Sequence, residues 1–448
     1  MDQQQPENPH SSISIPLLIG EDHLNYHHHP PPKLEGHDVV EGSTSFYRTC
    51  FNGLNALSGV GILSVPYALS TGGWFSLILL LVIASCAFYT GLLIQRCMDM
   101  DSSIRSYPDI GERAFGTKGR TLVSVLMNTE LYMVATGFLI LEGDNLYNLF
   151  PGVSFQIGDY TVGGRESFVV IVSLIILPTV WLNNMSILSI ISAGGVLASV
   201  ALLCSIFWTG AFDGIGFHEK GTFVNWRGIP TAVSLYSFCY CAHPVFPTLY
   251  TSMRNRKQFS KVMIVCFVLC TVTYALMAVL GYLMFGSNVM SQITLNLPVN
   301  KISSKVAIYT TLVNPIAKYA LMVTPIVNAI ENRLLSNCHK RSFSLCIRSS
   351  LVVSTVIVAL VVPFFGYLMS LVGAFLSVSA SIVLPCVCFL KISGIYRRFG
   401  FEQLIIAGIV LAGTIIMIIG TYTSVMEIVR HFYFLNFSGP NPWLAKHV

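Results

Sequence analysis

The chain has 448 residues, of which 53% are hydrophobic and only 10% charged, with a mean hydropathy of +0.67 and a formal net charge of +5. A soluble globular chain carries roughly 25% charged residues, so a soluble enzyme or nucleic-acid-binding domain is excluded and a polytopic membrane protein is indicated, with the lipid bilayer as partner and no nucleic acid. The net charge acquires meaning only from where the charges lie.

Residues 1–43 are rich in Pro, His, Ser, Asn and Gln and read as a disordered tail. They contain no continuous apolar stretch of the signal-peptide kind. His27 to His29 are read as part of a solvated tail rather than a metal site, and Pro16 to Leu18 form only a weak dileucine signal. The 12 cysteines lie mostly in apolar runs, with Cys338 and Cys346 in a basic loop. Their spacing implies neither a zinc site nor a disulfide framework. No cofactor or metal is expected.

A spanning helix needs about 20 apolar residues, and eleven such runs follow in order. They cover about 46–69, 73–97, 121–149, 167–182, 186–211, 229–250, 261–285, 305–330, 348–369, 370–390 and 403–428. The ninth and tenth are nearly continuous, with Gly366 and Gly373 as the expected turn. Basic residues set the orientation. With the N-terminus in the cytosol, 18 Lys and Arg residues fall on the cytosolic side and 7 on the other. The transporter domain would then run from 44 to 431, followed by a short non-cytosolic tail, 432–448. Of the 47 charged side chains only two lie deep in a span: Lys318, mid-way along the eighth, and Glu130, ten residues into the third, roughly 15 Å deep. Glu142, Asp144 and Glu427 fall near span ends, within reach of the interface.

The first span contains "SGVGILSVPYA" (58–68) and the sixth "FCYCAHPVFP" (238–247), both interrupted by helix-breaking residues. Pro66 and Pro247 are 181 residues and five spans apart; Pro178 and Pro363, in the fourth and ninth spans, are 185 apart. Two halves with matching punctuation suggest an internal repeat of about 46–211 and 229–390, with an extra helix at 403–428. Because five is odd, the repeat must be inverted. Discontinuous first and sixth helices point to a secondary transporter with a midplane site. A break exposes amide N–H groups to a carboxylate and carbonyls to an ammonium, which suits a zwitterionic amino acid. The competing reading of Gly59 and Gly61 is a helix-packing face.

The stretches "FNGLNALSGVGILSVPYALSTGGW", "SYPDIGERAFG", "ILEGDNL", "FCYCAHPVFPTLYTSM" and "VNPIAKYAL" together resemble the amino acid/auxin permease family, and within it the plant vacuolar amino-acid-transporter-like branch. The resemblance covers nearly all of the chain after residue 44. It implies an all-α, LeuT-type five-plus-five fold with an eleventh helix, proton-coupled amino acid transport, and a vacuolar membrane, with the plasma membrane as alternative. Carried onto matching positions, it implies a substrate site of Asn55, Ser58, Gly59, Val60 and Gly61 on the first helix and Ser237, Phe238, Tyr240 and His243 on the sixth. Tyr240 and Phe238 would serve as a gate or as ordinary core.

Lys318 would carry the coupling proton where relatives of this fold bind sodium, with Glu130 as its natural partner if the third and eighth helices touch. The alternative is a fixed pairing with Glu130 or with carbonyls, without turnover of protons. His243 is either a titrating group or a neutral cap at the helix break. The chain lacks nucleotide-binding, His-Glu-x-x-His and Gly-x-Ser-x-Gly signatures, so no catalytic residue is assigned. The rival classes are a non-transporting amino acid sensor and a channel. A monomer is the expected state.

Overall fold

The computed structural model describes residues 42–157, 160–181, 185–334, 341–362, 364–397 and 400–437. The expectations for the first 41 residues, including His27 to His29 and Pro16 to Leu18, and for Cys338, Pro363 and the end beyond 437 fall outside these.

The chain folds into helices in the order α1 (Phe46–Leu57), α2 (Val65–Gly72), α3 (Ser76–Met100), α4 (Tyr107–Leu149), α5 (Gly164–Trp181), α6 (Met185–Phe212) and α7 (Ile229–Cys239). It continues through α8 (Phe246–Ser252), α9 (Phe259–Phe285), α10 (Ile302–Leu334), α11 (Arg341–Val361), α12 (Phe365–Leu371), α13 (Leu384–Ser393) and α14 (Phe401–Phe437). Among the described residues, nine helical segments are long and apolar enough to cross a membrane. The halves α1 and α2, and α7 and α8, are each too short to span alone. One small addition to the all-α expectation is an antiparallel hairpin, Phe155–Ile157 with Tyr160–Val162, between α4 and α5.

Both expected interruptions are present. α1 stops at Ser58, Gly59 is extended (φ −93°, ψ −169°), and a 3-10 turn, Val60–Leu63, leads into α2, where Pro66 sits in the first turn. There its missing N–H leaves no intrahelical bond unmade. α7 ends at Cys239, and a 3-10 turn, His243–Val245, precedes α8, again with Pro247 in its first turn. The two interrupted helices lie in the centre, α2 against α7 and both against neighbouring long helices. α14 lies at the periphery: only 17% of its most apolar stretch is buried, against 72% for Phe365–Ser393.

Two sequence expectations are corrected. α11 ends at Val361 and α12 begins at Phe365, so the two spans part before Gly366 and not between Gly366 and Gly373. α12 continues through π-helical turns, Val372–Ser377 and Ser379–Val383, into α13. The two glycines serve close packing instead: a Cβ on Gly373 would stand 1.9 Å from the Ser234 carbonyl oxygen, and one on Gly366 2.7 Å from Ser291 Cβ. The second correction concerns "SYPDIGERAFG", which lies ahead of the third run. It is helical from Tyr107 and joins the spanning part of α4 at a kink, where Gly116 takes φ 68°. Asp109 Oδ2 accepts from the Ser106 and Arg105 amides at 2.8 and 3.1 Å, closing the helix start.

At the N-terminal end a short strap precedes α1. Thr44 N donates to Ser252 O at 2.9 Å and Arg254 N donates to Thr44 O at 3.0 Å, a parallel bridge that ties the start of α1 to the end of α8.

Candidate functional site

Lys318 lies on α10 and is 6% exposed. Its Nζ donates to Ser58 O at 3.2 Å and Asn55 O at 3.3 Å. These carbonyls belong to the last turn of α1, where the break leaves them without helical partners. α6 supplies the other wall. A Cβ on Gly195 would stand 2.5 Å from Asn55 Oδ1 and 3.1 Å from Lys318 Nζ, so only glycine admits both side chains. One turn further along α6, Ser199 Oγ meets Ser58 Oγ at 2.5 Å and donates to Gly195 O at 3.0 Å. Among the described residues no ion pair joins Lys318 to a carboxylate.

Glu130 is therefore not the partner of Lys318, although α4 and α10 do pack together. Its carboxylate is 4% exposed and accepts from Ser377 Oγ, on the first π-helical turn, at 2.6 Å. The Cys241 thiol, at the break after α7, also hydrogen-bonds to it. The two deep charges thus serve different breaks: Lys318 the one after α1, Glu130 the one after α7.

A cleft opens at the break after α1, lined by Gly59, Val60, Ser199, Thr310, Thr311 and Asn314 among others. Its free volume is about 20 Å³, the scale of one water. An amino acid would require the helices to separate. Gly59 faces this space, with no atom within 4 Å of its Cβ position. Gly61 does not: its Cβ would stand 2.7 Å from Cys239 Sγ and 3.2 Å from Cys239 Cα. The two glycines, expected to act alike, divide the two readings between them. Gly59 gives access to backbone, and Gly61 lets α7 approach.

The sixth-helix candidates are buried but are not gathered around this cleft. Ser237 Oγ donates to Val233 O at 2.8 Å. Phe238 packs beside Gly373. Tyr240 hydrogen-bonds Thr271 Oγ1 at 2.9 Å and stacks on Phe267, centroids 5.8 Å apart. His243 Nε2 lies 3.0 Å from Ala87 O and 2.9 Å from Thr90 Oγ1, and Thr90 donates on to Ser381 O at 2.7 Å. His243 thus links α3, the break after α7 and the second π-helical turn as a hydrogen-bonding strut.

Three participants escaped sequence reading: Gly195, Ser199 and Tyr274. The Tyr274 hydroxyl, on α9, donates to Leu57 O at 2.5 Å and lies 3.4 Å from Cys239 O. It caps the last turns of both interrupted helices at once. Nothing local distinguishes these residues within their apolar helices.

Residues 42–426 match the family described as transmembrane amino acid transporter protein. Two relatives from Arabidopsis thaliana are amino acid transporter AVT1I, 58% identical over 87% of this chain and 96% of its own, and amino acid transporter AVT1J, 61% identical over 88% and 93%. Among solved structures, a manganese transporter variant from Eremococcus coleocola superposes with a TM-score of 0.53, covering 92% of this chain and 91% of its own at 13% identity. That likeness concerns the fold alone, and it agrees with the LeuT-type helical arrangement expected from the two interruptions. The relatives are named as transporters, not enzymes. With the interrupted helices, the cleft and these likenesses together, the chain belongs to the transmembrane amino acid transporter family.

Proposed function

We propose that this protein is a proton-coupled amino acid transporter of the vacuolar membrane, with its N-terminus in the cytosol, working by alternating access around the break after α1. The nine long helices and the two interrupted ones would make eleven crossings, as two inverted five-helix repeats and an eleventh helix. The 18-to-7 asymmetry of basic residues supports the orientation.

One observation carries the reading: Lys318 Nζ is held by the Asn55 and Ser58 carbonyls of the broken helix and, among the described residues, forms no ion pair with a carboxylate. Two carbonyls aimed at one point form a cation site, and here the cation is a side chain. A buried ammonium without a counter-ion is costly, so its charge is free to change with the state of the cleft. The rival reading is a fixed contact of Lys318 with Glu130 or with carbonyls, without turnover of protons; in that case arginine would largely rescue transport and alanine would misfold. Gly59 and the amides beyond it would receive the substrate carboxylate as the helices part.

The test is uptake into sodium-free vesicles with and without an imposed pH gradient, using a panel of amino acids. A gradient of two pH units stores about 2.8 kcal/mol per proton, enough for roughly hundredfold accumulation. Lys318→Ala should abolish pH-driven accumulation while leaving the protein folded. Lys318→Arg should fail as well, because guanidinium stays protonated. Sodium-driven accumulation indifferent to pH would overturn the proposal, as would full pH-driven activity in Lys318→Ala. Absence of labelled-substrate counterflow would favour a sensor.

A further inference from the structure

Glu142 lies near the end of α4 remote from the strap. The sequence placed it within reach of the interface; the structure buries it completely, at 0% exposure, and neither carboxylate oxygen has a hydrogen-bond partner among the described residues. Its neighbour Asp144 is served quite differently, by an ion pair with Arg165 and by Gln292 Nε2 at 2.7 Å.

Three more buried polar atoms at this end share the condition of Glu142. They are Asn145 Oδ1, one turn along the same helix face; Thr294 Oγ1, on the 3-10 turn Ile293–Asn296; and Ser304 Oγ, in the first turn of α10. All three residues are 0% exposed. The elements that bear them are mutually packed: α4 against the 293–296 turn, that turn against α10, and α10 against α4. Asn145 Nδ2 donates to Gln292 Oε1 at 2.7 Å, which pins the turn to α4.

A bare carboxylate in such surroundings is among the costliest groups to bury. A proton changes the inventory. The neutral acid carries no charge, so its burial costs far less. We propose that Glu142 is a second proton-binding site, distinct from Lys318, at the buried end of α4. The step is simple protonation, the carboxylate taking one proton from the aqueous phase. Toward this end of α4 the charged or titratable groups on the elements packed against it include Arg165 and Glu166 on α5, Lys305 and Tyr309 on α10 and Tyr367 on α12, with Asp144 and Tyr147 on α4 itself. Among the described residues none forms an ion pair with Glu142. The inference rests on the proton-coupled reading only for the use to which the proton is put.

Infrared spectroscopy of the purified full-length protein tests it without transport. A carboxylic C=O band that shifts in D2O should be present in the native protein and in Glu130→Gln, and completely lost in Glu142→Gln. Glu142→Asp should move the band rather than remove it, which keeps the test available should Glu142→Gln fold poorly. Identical native and Glu142→Gln spectra would overturn the proposal by showing an ionised side chain. Disappearance of the band on adding sodium at constant pH would overturn it too, in favour of a metal-cation site. The role of Lys318 is read separately, by uptake, so either can fail alone.

Discussion

Adding one methyl group at Gly59 and at Gly61 should have opposite consequences, although the residues are two apart. At Gly61 a Cβ arrives 2.7 Å from Cys239 Sγ, 3.2 Å from Cys239 Cα and 3.4 Å from Cys239 Cβ. The sulfur can swing aside, but the backbone cannot without prising α7 from the break after α1. Overpacking of this kind costs about 1–3 kcal/mol, so Gly61→Ala should lower the apparent Tm by a few degrees and reduce abundance. At Gly59 there is no atom within 4 Å and the backbone is in an extended conformation that alanine adopts readily. Gly59→Ala should keep native stability. Its methyl group projects into a cleft of only about 20 Å³, so binding and uptake should fall. The assay is thermal unfolding in detergent alongside uptake in vesicles, with Cys239→Ala added to each variant. Removing the sulfur should recover part of the loss in Gly61→Ala and none in Gly59→Ala. A stable but non-binding Gly61→Ala, or a destabilised Gly59→Ala, would refute the division of roles.

Gly195→Ala should disturb the lysine site without touching the cleft, since its Cβ would come within 2.5 Å of Asn55 Oδ1; pH-driven uptake should drop severalfold, and an unchanged pH profile would count against the geometry. Tyr274→Phe removes the hydroxyl that caps Leu57 O and Cys239 O and should cost about 1–3 kcal/mol, read as a lower Tm; unaltered stability would deny it that role. In the loop after α3, the Ser103 hydroxyl and amide and then Arg113 hold the Asp101 carboxyl below its ordinary range. Its contribution to the order of that turn is present above the unfolded carboxylate range and lost only as pH falls through the lowered value. The protection factor of the Ser103 amide, corrected for intrinsic exchange, should therefore fall only in acid, below about pH 4; a loss of protection on the alkaline side would contradict this.

The parts of the fold legible in sequence were those that violate the chemistry of an apolar helix. Gly59, Gly61 and Pro66 announced one break, Pro244 and Pro247 the other, and Lys318 stood out as a charge in a hydrocarbon-like run. What stayed hidden was what depends on which face meets which neighbour. Tyr274 is an unremarked aromatic until α9 lies across the ends of α1 and α7. Gly195 and Ser199 look like ordinary small residues until α6 meets Lys318. Gly366 and Gly373 were misread because glycine permits both a turn and a close helix contact, and sequence alone does not say which. The helical start at Tyr107 was overlooked by counting apolar runs, although Ser106, Pro108 and Asp109 carry a helix-start pattern. Sixth-helix candidates came from resemblance rather than chemistry, and their side chains in this state face α3, α9 and the π-helical turns instead of the cleft.

The strap at Thr44 has a consequence for populations. Its two bonds are made wholly by main chain, so they persist whatever side chains occupy 44, 252 and 254, proline apart. At about 1 kcal/mol each, they weight the resting equilibrium by roughly thirtyfold toward arrangements in which α1 and α8 stay joined at that end. Any motion that parts them must overcome this bias before a ligand contributes anything. A motion that carries both half-helices together, as one lever, leaves the bias untouched.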